Sequence, residues 1–158
     1  MSEQADRRGE SEEERLDRNL EELLQELRVA IPGIQFLFAF LLVVPFQQGW
    51  VDVTAFERDV YYVALLATAF SGVCLMSAPA RHRLRFREMD KKWVVTSTHK
   101  YTIAGLVFLG IAITTVILLV SHVVFSPATA ITATALIAGS ILWVWFGAPL
   151  QRELSERD

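Results

Sequence analysis

An all-α membrane protein, a bundle of four transmembrane helices behind an N-terminal amphipathic helix, is the fold class this sequence predicts. Three observations predict it. Of the 158 residues, 53% are hydrophobic and 21% charged, and the mean hydropathy is +0.35, so long apolar runs must alternate with charged segments. The apolar residues fall into four runs, 29–46, 60–80, 101–125 and 128–150, each close to the roughly 20 residues that cross a hydrocarbon core. No Asp, Glu, Lys or Arg interrupts any of them.

Residues 1–14 are polar and acidic, with nothing to bury, and are expected to be a disordered tail. Over 11–28, Leu16, Leu20, Leu23, Leu24 and Leu27 recur at three- and four-residue spacing between Glu and Gln, the pattern of an amphipathic helix. Ser11 with Glu14 fits a capping box. This helix can pack on the protein's own inner face. Alternatively, Leu16, Leu20, Leu23 and Leu27 form a short coiled-coil seam that continues into Ala30 and Ile34 and joins subunits into a homo-oligomer. Adsorption to the membrane surface is disfavoured because the polar face is acidic. In the first apolar run, Pro32 fits a first helical turn, where its missing donor costs nothing. Pro45 lies near the end of the run.

Charge between the runs sets the direction. Alternate segments carry fourteen Lys and Arg against one, Arg58, in the others. The positive-inside rule therefore puts both termini, including the tail 151–158, and the central loop in the cytoplasm, with the chain in the plasma membrane. The acidic start is no cleavable signal peptide, so the first span is expected to serve as its own insertion signal. In the central loop, Arg81, Arg83, Arg85 and Arg87 alternate with His82, Leu84 and Phe86 and are followed by Lys91, Lys92 and Trp93. They suit contact with anionic lipid headgroups, each basic residue contributing roughly 1 kcal/mol near an anionic leaflet.

An internal repeat is also visible. Ile31-Pro32-Gly33-Ile34-Gln35-Phe36-Leu37 and Ile103-Ala104-Gly105-Leu106-Val107-Phe108-Leu109 share one pattern. The second and fourth runs both end in Ala-Pro, at Ala78-Pro79 and Ala148-Pro149. Two parallel helical hairpins would follow, the glycine in each allowing close helix approach.

The chemistry is sparse. A net charge of −3 excludes the usual basic nucleic-acid binder, and a single cysteine, Cys74, excludes an internal disulfide or a cysteine-built metal centre. His82, His99 and His122 have no ligand spacing and no accompanying carboxylate or cysteine, so neither a metal nor a cofactor is expected. No phosphate loop and no nucleophile with a base appears, which argues against an enzyme. Polarity inside the runs is what remains. Gln35, among Phe36, Phe38 and Phe40, needs a partner and is expected to face another helix or line an ion path. Glu57 and Asp59 at the outer mouth, and His99 at the inner one, are the other candidates for a pathway.

The stretch from Glu22 to Gln35, continuing through Leu37–Leu42 to Val44-Pro45-Phe46, together with Ala78-Pro79-Ala80, His82-Arg83 and Phe86-Arg87, resembles a family of small four-span actinobacterial membrane proteins of uncharacterised role. Some of its members carry a sodium/proton antiporter label. The resemblance implies topology and brings no catalytic residues. A proton-coupled exchanger ordinarily needs a carboxylate within the membrane, and the four runs have none. The first expectation is ion permeation or cation transport, which would then need a homo-oligomer with its path at or between subunits. The competing expectation is a non-transporting scaffold or regulatory subunit that docks partners through its cytoplasmic amphipathic helix.

Overall fold

The computed structural model describes residues 12–85, 91–147 and 151, with only the backbone described at some positions within the helices. Helix α1 spans Glu12–Val43, α2 Ala55–Arg85, α3 Lys91–Val124 and α4 Pro127–Leu142. Among the described residues the fold is all-helical. Windows long and apolar enough to cross a membrane run over Leu27–Phe46, Ala55–Ser77, Lys100–Val124 and Pro127–Gly147. The chain is thus a multi-pass membrane protein whose setting is the lipid bilayer.

The amphipathic segment and the first span form one helix, α1, which runs unbroken through both. Pro32 accordingly sits inside the helix and not in its first turn, where its ring deprives the Arg28 carbonyl of an i+4 donor. Pro45 has the same effect on the Leu41 carbonyl, and here the structure shows the remedy. The Tyr61 hydroxyl of α2 donates to the Leu41 oxygen at 3.0 Å. Around Pro45 the chain tightens into a 3-10 turn, Val44–Phe46, followed by a second one at Gln48–Asp52.

The next helix starts have local causes. Thr54 and Glu57 form a reciprocal capping box at the head of α2. The Thr54 amide donates to Glu57 Oε2 at 2.8 Å and the Glu57 amide to Thr54 Oγ1 at 3.3 Å. Ser126 caps α4 by accepting the Thr129 amide at 3.4 Å, with Pro127 in the first turn. At its far end α4 widens into a π-helical turn, Trp143–Gly147.

Packing is unequal. Among the described residues the closest association is between α2 and α3; α1 rests on α2 and touches α3 lightly, and α4 packs on α3 alone. The ends of the helices that hold the 44–54 and 125–126 connections are termed the loop end, and the opposite ends the terminal end. Toward the terminal end, Leu27 and Ile34 of α1 are buried on Leu75 of α2, with Ile31 and Leu109 against them. Toward the loop end, Leu41, Tyr61 and Ala64 form a second core with Trp50, whose ring meets Tyr61 edge-on at 4.8 Å.

The two copies of the proposed repeat occupy different surroundings. A Cβ on Gly105 would lie 2.6 Å from Cγ and Cδ2 of Leu75 and 3.3 Å from Cβ of Cys74. At Gly33, its counterpart, nothing lies within 4 Å.

Candidate functional site

Polar side chains collect along the α2–α3 interface. Midway, the Ser71 hydroxyl donates across to the Gly105 carbonyl at 2.8 Å. A bare glycine backbone permits this close approach, and the bond ties the two helices at the same level where Leu75 fills the notch. Thr68, fully buried, instead donates to the Ala64 carbonyl of its own helix at 2.7 Å. Nearer the terminal end, Thr98 and Thr102 lie one turn apart on α3. Their hydroxyl oxygens are buried without a hydrogen-bond partner.

At the loop end the structure assembles a pair that linear spacing conceals. His122 Nδ1 of α3 lies 3.3 Å from Glu57 Oε1 of α2, the two side chains being 33% and 12% exposed. The Phe56 ring stands 5.2 Å from the imidazole. Glu57 uses both oxygens, Oε2 for the Thr54 cap and Oε1 for His122. With its Nδ1 protonated, the imidazole donates to the carboxylate, and the contact joins the two helix ends. The expectation that no carboxylate accompanies His122 is corrected. The partners are 65 residues apart, and only the antiparallel pairing of α2 and α3 brings them together. One half of the pair had a visible signal, because Thr54-x-x-Glu57 ahead of an apolar run is a capping box by pattern. Among the described residues no group of three or more His, Cys, Asp and Glu could hold a metal ion.

The other candidates are scattered. Asp59, two residues on from Glu57, is exposed. Gln35 is exposed on α1 and, among the described residues, is not packed against another helix, where a contact within the bundle was expected. The reason lies in the helical register: Leu27, Ile34 and Leu41, seven residues apart, take the buried face, which leaves Gln35 outside it. Leu27, expected to lie on a seam open to a second subunit, is 4% exposed and packs on Leu75 of the same chain. Leu16, Leu20 and Leu23 belong to α1, but their side chains lie outside the described residues. The same holds for His99, Lys91 and Lys92 on α3 and for Arg81, Arg83 and Arg85 on α2. Arg87, Ser11 and the segments 1–11 and 152–158 lie outside them altogether.

Between α3 and α4 a groove of about 480 Å³ opens to the side, lined by Val107, Ile111, Thr114, Ile141 and Phe146 among others. Its floor is Gly110, where a Cβ would come 3.2 Å from Ile141 Cγ2. The Thr115 hydroxyl is turned onto the Ile111 carbonyl at 2.6 Å, so the groove offers little to a polar ligand.

No curated protein and no solved structure matches the chain. A family model does, over residues 9–149, nearly the whole sequence. This four-span membrane protein, with its closely joined α2 and α3, belongs to DUF6328, a family of unknown function.

Proposed function

We propose that the chain is a non-enzymatic, non-transporting subunit of the plasma membrane that holds a cytoplasmic partner on the extramembrane part of α1. The observation that carries this is the continuity of α1. Residues 12–26 extend the membrane helix beyond the Leu27–Phe46 window without a break, by about 22 Å at helical rise. Leu27 and Ile34 anchor its base on Leu75, so the projecting part is set at a fixed angle, as a docking element requires. The fourteen-to-one distribution of basic residues supports a cytoplasmic location for both termini, and Arg81, Arg83, Arg85, Arg87, Lys91 and Lys92 supply contacts for anionic lipid beside the docking helix. No charged residue lies within the four apolar runs, and the carboxylates of Glu57 and Asp59 fall only at the start of the Ala55–Ser77 window, at the loop end, which speaks against a cation site deep in the membrane.

A second reading, cation permeation through a homo-oligomer, is favoured by Gln35. A carboxamide exposed within a span suits a path between subunits, with Asp59 and the Glu57–His122 pair at its outer mouth. Flux of monovalent cations into proteoliposomes separates the two. Flux equal to that of protein-free vesicles is the outcome expected of a docking subunit. Flux that rises with protein content and disappears in Gln35→Leu would establish permeation and end the docking proposal.

A further inference from the structure

Gln35 is the ninth residue of the Leu27–Phe46 window, about 12 Å along a core roughly 30 Å thick. It is exposed there, where hydrocarbon offers its carboxamide nothing. Hydroxyl side chains elsewhere in the spans, exposed or half-buried, solve this problem alone. Thr132, Thr134 and Ser140 of α4 donate to the carbonyls of Ala128, Ala130 and Leu136 at 2.8, 2.7 and 2.8 Å. A short hydroxyl reaches the carbonyl one turn back. The amide of Gln35 stands two methylenes further out, and its two N–H groups and one oxygen need a partner outside the helix. The equally bare α4 makes no such demand.

The residues in line with Gln35 form a stripe. Pro32, Gln35, Ala39 and Leu42 follow one another at steps of three, four and three, and all are exposed. By helical geometry the stripe lies about a third of a turn from the Leu27–Ile34–Leu41 face that packs on α2. A second helix can therefore approach it without displacing α2. Ala39, one turn beyond Gln35, lets two backbones come close.

We propose that this stripe is the seam of a parallel homodimer in the membrane, in which Gln35 exchanges hydrogen bonds with Gln35 of the partner subunit. A second copy is the occupant that fits, because a carboxamide is self-complementary. A twofold axis along the membrane normal sets two such groups at the same depth, each donating an N–H and accepting one. Equal insertion of both copies supplies that axis. A lone polar side chain in a three-four repeat also fixes the register of a two-stranded pair. The stripe differs from the leucine seam expected from sequence, of which Leu27 is used internally and the side chains of Leu16, Leu20 and Leu23 lie outside the described residues. The dimer is independent of whether α1 docks a partner.

The test uses the purified full chain in mild detergent and in phosphatidylcholine vesicles, with mass measured by light scattering and by energy transfer between labelled copies. The unaltered protein is expected to be a dimer. Gln35→Leu should weaken it about tenfold in dissociation constant, the scale of interhelical hydrogen bonds in membranes, with helix content unchanged and the unfolding midpoint unchanged at dilutions where the chain is monomeric. Gln35→Asn should restore most of the loss, and Phe36→Leu, off the stripe, should leave the dimer as it was. In a Cys74→Ser background, Ala39→Cys should cross-link to itself on oxidation faster than Phe36→Cys or Gly139→Cys. A monomer at all concentrations would overturn the proposal. So would a dimer indifferent to Gln35→Leu, or one that cross-links best through Gly139→Cys on α4.

Discussion

α2 and α3 are joined from the Glu57–His122 contact at the loop end to the Gly105 notch filled by Leu75, whereas α4 leans on α3 with Ala130 as its one buried residue. Both membrane windows have the same mean hydropathy, 1.7, yet 33% of the α2 window is buried and 6% of the α4 window. Apolarity does not choose which helices meet when lipid tails are as apolar as leucine. The choice falls to surface shape and to hydrogen bonds that cross between helices. α2 has both, through Leu75 and Ser71, while the hydroxyls of Thr132, Thr134 and Ser140 on α4 are spent on their own backbone.

The largest expected effect sets two leucines against each other. Leu75 is 1% exposed and Leu136 on α4 is 67% exposed. Leu75→Ala should lower stability by about 2 kcal/mol or more, through lost contacts and the cavity left behind. Leu136→Ala should change it little. Unfolding from mild detergent by graded addition of a denaturing detergent measures both, and equal losses would erase the contrast between the two helices. Next come the paired glycines of the repeat. Gly105→Ala forces a methyl into Leu75 and Cys74 and should cost about 1–3 kcal/mol. Gly33→Ala meets nothing within 4 Å and should be neutral or gain up to about 1 kcal/mol of helix propensity. If Gly33→Ala proves the costlier of the two, the packing assigned to the repeat is wrong.

Tyr61→Phe sharpens the comparison at the loop end. It keeps the ring against Trp50 but leaves the Leu41 carbonyl, already deprived of a donor by Pro45, without a partner, at a cost of about 1 kcal/mol. A Pro45→Ala change made together with it should recover part of that loss, since an amide then returns at the position Pro45 blocks. The smallest effect belongs to His122→Phe, which retains an aromatic ring beside Phe56 and removes the contact to Glu57. Because the pair is partly exposed, the unfolding midpoint should fall by less than in Tyr61→Phe. A larger fall would mean that the carboxylate–imidazole contact, and not the shape of the α2–α3 seam, dominates that interface.

Much of the fold is legible along the chain. The four charge-free runs announce four membrane helices, and Ser126-Pro127 announces the start of α4. The site is less legible, for identifiable reasons. Glu57 carries a local signal in its cap with Thr54, but its second partner, His122, comes from another helix. Gln35 is conspicuous as a polar residue in an apolar run, yet the run does not say which way it faces. Leu27 belongs by spacing to an attractive heptad, and the same spacing serves packing on α2 equally well.

The sequence by itself therefore determined the class of the protein and the number of its membrane helices. Those properties arise from side-chain transfer into lipid and from bonds spanning four residues, both set within a single segment. Only the tertiary structure decided that Tyr61 satisfies the carbonyl freed by Pro45, that Gly105 and not Gly33 receives a neighbour, and that Gln35 stays on the outside. Each of these depends on the rotation of one helix about its axis relative to another. That rotation is set by how knobs, notches and hydrogen-bonding groups on separate segments fit together, since lipid offers apolar faces no preference of its own.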